Sequence, residues 1–103
     1  MKNEKAGLFK LSRPEIKTAL SQLEGWRRKE KGIVREVEAE NFMQAVNLIR
    51  RITRLAETAN HHPDLHLTGH RYLKIVLTTH AVKGLSALDF QLAKQINKLL
   101  TPA

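Results

Sequence analysis

The chain has 103 residues, of which 42% are hydrophobic and 27% charged, with a formal net charge of +8 and no cysteine. Such a length fits one domain, 1–103, small enough that a homo-oligomer is expected; the composition is that of a folded chain, and the lack of thiols excludes disulfides and thiolate metal sites. No apolar run reaches the roughly 20 residues of a membrane span, and the charged start MKNEKAGLFKLSRPE has no signal-peptide core, so a cytoplasmic protein free of membranes is expected.

Ser12 and Glu15 form a capping-box pair, Pro14 suits a first turn, and Ile16, Ala19, Leu20 and Leu23 recur at helical spacing before Gly25. This predicts a short first helix. From Trp26 to Glu40 the composition shifts toward Val and Ile, which predicts a hairpin of two strands with Lys31-Gly32 as its tight turn. Asn41 with Gln44 then opens a long helix whose apolar stripe is Phe42, Ala45, Val46, Ile49, Ile52, Ala56 and Ala59, and which ends near Asn60.

His62-Pro63 must leave helical geometry. Leu67 to Thr79 reads as strand with a bulge or sharp turn at Gly69, since Leu73, Ile75 and Leu77 alternate with more polar neighbours. After Gly84, Ser86 and Asp89 form another capping pair, and Leu88, Leu92, Ala93, Ile96 and Leu99 supply the stripe of a C-terminal helix. The expected fold is α+β: a two-layer sandwich with a mainly antiparallel four-stranded sheet and the helices packed on one face.

All five histidines, His61, His62, His66, His70 and His80, lie within twenty positions. Imidazole both accepts and donates protons near neutrality, so two or three around one pocket suit acid–base chemistry. His61 and His62 stand at a helix-to-loop junction and His80 closes a strand, places where a rigid scaffold meets an open mouth. Capping of the helix C-terminus is the plain alternative for the first two. Metal binding by His61, His62, Asp64 and His66 is the other, and no regular ligand spacing favours it. His66 and His70 are read as surface residues.

The segments ETANHHPD and LTTHAVKGLSALDFQLA resemble the pterin-4a-carbinolamine dehydratase family, also known as dimerisation cofactors of a homeodomain transcription factor. Glu57, His61, His62, Pro63, His80 and Asp89 stand at the family's positions, and the resemblance runs from Leu20 to Ile96, with Gly25-Trp26 before the first strand. His70 occupies the family's usual aromatic position, with Tyr72 two residues later, and Leu65 stands where members often carry tryptophan.

The resemblance implies dehydration of 4a-hydroxytetrahydropterin to quinonoid dihydropterin, with no metal and no organic cofactor. It assigns the proton transfers jointly to His61, His62 and His80. Glu57, one helical turn before His61, is expected to orient that ring or touch the pterin, and Asp89 to serve chiefly the Ser86 cap. Trp26 is expected in a core or an interface. Implied partners are the pterin, a second copy in a homodimer joined at sheet edges or a homotetramer joined through helices, and an aromatic amino-acid hydroxylase in the same recycling sequence. A non-catalytic pterin- or protein-binding assembly protein on the same scaffold is the alternative. Nucleic acid is not an expected partner, because the basic residues include only two patches, one around Arg27, Arg28 and Lys29 and one at Arg50, Arg51 and Arg54, with no recognition signature beside them.

Overall fold

A computed structural model describes residues 8–100. The first helix, α1 (Arg13–Ser21), starts at the expected capping box. The Ser12 hydroxyl accepts the Glu15 N–H, and the Ser12 N–H donates to Glu15 Oε1 at 2.7 Å. That backbone donor, with the Ser12 hydroxyl adding to it, holds the Glu15 carboxyl below its ordinary value.

Strands β1 (Arg27–Lys29) and β2 (Gly32–Glu38) form the first hairpin. Lys29 pairs with Gly32, so the turn is Glu30-Lys31, one residue earlier than the Lys31-Gly32 expected from glycine. Glu30 takes the positive φ of 54° instead. Gly32 is kept for another reason: a Cβ there would stand 2.6 Å from the Leu77 carbonyl oxygen of the neighbouring strand.

Helix α2 (Phe42–Ala59) begins where the Asn41 side chain accepts the Gln44 N–H and buries Ala45, Ile52 and Ala56. It is followed by β3 (Asp64–Thr68) and β4 (Tyr72–Leu77), joined through Gly69, His70 and Arg71. The expected interruption at Gly69 is thus a hairpin turn between two strands in continuous register, with Gly69 and His70 both at positive φ. β3 also begins three residues before Leu67, its alternation masked by Asp64 and His66 on the exposed face. A 3-10 turn (His80–Val82) and α3 (Ala87–Leu100) complete the described chain.

The sheet is antiparallel throughout, in the order β1-β2-β4-β3. Its register places Ile33 beside Leu77, and Leu73 between Val37 and Leu67, on one face. Against that face lie Ile16 of α1, Ile52 and Ala56 of α2, and Leu92, Ala93 and Ile96 of α3. The result is the expected α+β sandwich. Trp26 is in this core, 7% exposed, with its indole N–H donating to Asn97 Oδ1 at 2.8 Å.

Candidate active site

The end of α2 sets the site. Asn60 adopts the left-handed conformation, its N–H donating to Glu57 O and the His61 N–H donating back to Ala56 O at 3.1 Å. This is a Schellman-type stop, satisfying carbonyls that the last helical turn would leave unpaired. The chain leaves the helical path at Asn60, so the helical spacing of four no longer aligns Glu57 with His61.

As a consequence the two carboxylates are paired differently from expectation. Glu57 Oε2 lies 2.6 Å from Nε2 of His62, not of His61, and both side chains are exposed. His61 turns inward instead: it is 7% exposed, and its Nε2 lies 2.6 Å from Oδ1 of Asp89, which is fully buried on the first turn of α3. Asp89 therefore does more than cap. Its Oδ2 accepts the Ser86 N–H at 3.0 Å and the Thr79 hydroxyl at 2.7 Å, so both carboxylate oxygens are engaged. A buried carboxylate needs such donors, because leaving it bare costs several kcal/mol, of the order of the 3–5 kcal/mol lost when a buried pair is broken.

His80 does not close a strand. β4 ends at Leu77, Thr79 bridges to Gly84, and His80 is the exposed first residue of the 3-10 turn. The site thus reads along the chain as two joined pieces. Glu57–His62 sits at the surface beside buried His61–Asp89, and Asp89 is tied to Thr79, the immediate neighbour of His80.

His66 is exposed on the outer sheet face in register with Lys74, and His70 is at the tip of the β3–β4 turn. Asp64, just after His62-Pro63, pairs with Val76 near the opposite end of that hairpin, the end from which Thr79 and His80 follow. The six residues of β4 span about 20 Å. His70 therefore stands at the far turn of the hairpin, away from the end that carries His61, His62 and His80. Leu65 packs against the core. Among the described residues, no three His, Cys, Asp or Glu side chains gather in a group able to hold a metal ion. No helix there is long and apolar enough to cross a membrane.

Thr79 and Ser86 belong to the site although chemistry-first reading of the sequence passes over Thr79. A signal existed: the inward alternation Leu73, Ile75, Leu77 continues to position 79, placing a hydroxyl in the core where it must find a partner.

An α+β sandwich with carboxylate-held histidines at one end of the sheet defines a scaffold suited to proton transfer on a small molecule. The family model described as pterin 4 alpha carbinolamine dehydratase matches residues 9–99, and the chain belongs to this family. A protein of Nocardia farcinica, provisionally named pterin-4-alpha-carbinolamine dehydratase, is 42% identical over 86% of this chain and 93% of its own. One of Sulfolobus acidocaldarius with the same provisional name is 37% identical over 88% and 99%. Among solved structures, a transcriptional coactivator/pterin dehydratase from Brucella melitensis superposes with a TM-score of 0.83 at 26% identity, covering 89% of this chain and 99% of that one. A pterin dehydratase-like protein identified as a RuBisCO assembly factor in the alpha-carboxysome shares the fold, with a TM-score of 0.61 at 16% identity over 76% and 89% of the two chains.

Proposed function

We infer that the protein is a 4a-hydroxytetrahydropterin dehydratase that uses histidine acid–base catalysis. The reaction breaks the C4a–O bond, releases the hydroxyl as water after it gains a proton, and forms the N5–C4a double bond as N5 loses one. Electrons and atoms balance with proton transfers alone, so no metal or organic cofactor is called for. The observation that carries the reading is the pair of adjacent imidazoles, each with its own carboxylate at 2.6 Å, one buried and one exposed. Carboxylate partners fix the orientation and tautomer of an imidazole, which general acid–base catalysis requires.

His62 faces solvent and is oriented by Glu57, so it exchanges protons with the substrate. His61 and His80 complete the set, His61 held by Asp89 and His80 carried by the rigid Thr79–Gly84 bridge. In this reading the protein acts in pterin recycling in the cytoplasm, beside an aromatic amino-acid hydroxylase. β3 is an edge strand of the sheet, which suits a homodimer through paired edges, with a homotetramer through helices as the larger assembly.

Replacing His62 with Ala tests the assignment. Loss of a positioned acid or base costs about 10²- to 10⁴-fold in rate, while His62 is exposed enough for the melting temperature to stay near that of the wild type. Unchanged turnover in His62→Ala would remove this residue from the reaction.

A second reading, a non-catalytic binding or assembly protein on the same scaffold, draws support from exposed Phe42 and Met43 at the start of α2 and from the likeness to the Brucella melitensis protein, which is described as a transcriptional coactivator as well as a pterin dehydratase. It predicts pterin or partner binding without water loss.

A further inference from the structure

The hydrogen bonds behind Asp89 have a single consistent direction. A carboxylate only accepts, so the one proton of the Thr79 hydroxyl goes to Asp89 Oδ2 at 2.7 Å. The Thr79 oxygen must then accept from the Ser86 hydroxyl at 2.8 Å, and the Ser86 oxygen accepts in turn from the Leu88 N–H at 3.2 Å. Thr79, Ser86 and Asp89 are 4%, 0% and 0% exposed, so water does not compete for these groups. With Oδ2 filled by Thr79 and the Ser86 N–H, Oδ1 is left for His61, whose Nε2 must be the N–H nitrogen. In the neutral ring the lone pair is then on Nδ1.

We propose that Thr79 is a positioning residue for proton transfer: its hydroxyl orients the Asp89 carboxylate, which in turn fixes the His61 ring with Nε2–H donating and Nδ1 as the accepting atom, and Thr79 thereby links His61 to His80. The link to His80 is covalent and stiff. The Thr79 N–H donates to Gly84 O at 2.8 Å, and Thr79 O accepts from the Val82 N–H at 3.1 Å, so the residue that holds Asp89 also anchors the turn that carries His80. β4 delivers the hydroxyl to this place because position 79 continues its inward-facing alternation. Serine would supply the same donor, while valine keeps the shape and removes it.

The catalytic part of this inference rests on the dehydratase reading; the ordering of the His61 ring does not. The test uses full-length wild type, Thr79→Val, Thr79→Ser and Ser86→Ala, each read twice: by ¹⁵N-resolved NMR of the His61 ring, and by kcat and KM for 4a-hydroxytetrahydropterin loss. Wild type and Thr79→Ser are expected to show His61 as the Nε2–H tautomer with a slowly exchanging ring proton. Thr79→Val is expected to keep the Nε2–H tautomer, because the carboxylate still only accepts, but with faster exchange of the ring proton as the carboxylate loses its orientation. Its kcat should be down roughly 10- to 100-fold, the loss seen when a group behind a metal-bound imidazole is removed, and KM little changed. Ser86→Ala should shift both readouts the same way by less, and it decides the matter if Thr79→Val does not fold. A wild-type His61 ring-proton exchange rate in the folded hydroxyl-deleted variants would overturn the proposal. A wild type that catalyses nothing would instead overturn the dehydratase reading, and the NMR comparison would still stand.

Discussion

Replacing Asp89 with Asn changes one buried atom and should reverse the logic of the site. The amide oxygen must take the Oδ2 position, because the Thr79 hydroxyl and the Ser86 N–H both donate there. The NH₂ group then faces His61 Nε2 across the 2.6 Å contact and forces that nitrogen to become an acceptor, so the ring must move its proton to Nδ1. A charge-assisted contact is thereby exchanged for a neutral one, a loss of about 1–1.5 kcal/mol. For a chain of this size that is a fall in melting temperature of about 4–12 °C. Asp89→Ala should cost more, about 3–5 kcal/mol, since it strands His61, Thr79 and the Ser86 N–H without an acceptor. Thermal denaturation gives the stability difference and ring ¹⁵N shifts give the tautomer. An Asp89→Asn protein that melts with the wild type and keeps His61 protonated on Nε2 would refute the hydrogen-bond assignment.

Two further outcomes test the fold that holds the site. Ile52 is fully buried on α2 against the sheet, and Ile52→Ala should cost about 2–5 kcal/mol in a denaturant titration through lost burial and the cavity left behind; a cost below about 1 kcal/mol would mean that α2 is not packed as described. Glu15 has a lowered folded-state pKa, so its contribution is present above the unfolded value near 4.5 and is lost as pH falls through the lower folded value. The melting-temperature advantage of wild type over Glu15→Gln should therefore be present at pH 7 and shrink below pH 4.5, and an advantage independent of pH would contradict the ionised capping box.

Much of this architecture is legible in the sequence because capping residues and apolar periods agree. Ser12 with Glu15, Asn41 with Gln44, and the stripe through Ile52 and Ala56 mark two helix starts and their buried faces. The first hairpin turn lies one residue away from where its glycine points, because Gly32 is needed for close approach to the Leu77 carbonyl and not for the turn itself. β3 is obscured because an edge strand exposes half its residues, here Asp64 and His66. The histidines stand out in the sequence, but their partners do not. Helical spacing matches Glu57 to the wrong imidazole because that rule holds only while the helix continues, and Asn60 ends it. The role of Thr79 comes from a contact with a residue ten positions away, and it becomes visible only when β4 and α3 are packed together.

The central claim is that this site removes water from a 4a-hydroxytetrahydropterin. The most direct measurement is the rate of loss of that compound, above its spontaneous decay, with wild-type protein and with the His61→Ala, His62→Ala double variant, each shown folded by its melting curve. Clear acceleration by the wild type and none by the double variant is the expected result. No acceleration by folded wild type, or equal acceleration by both proteins, would contradict the claim.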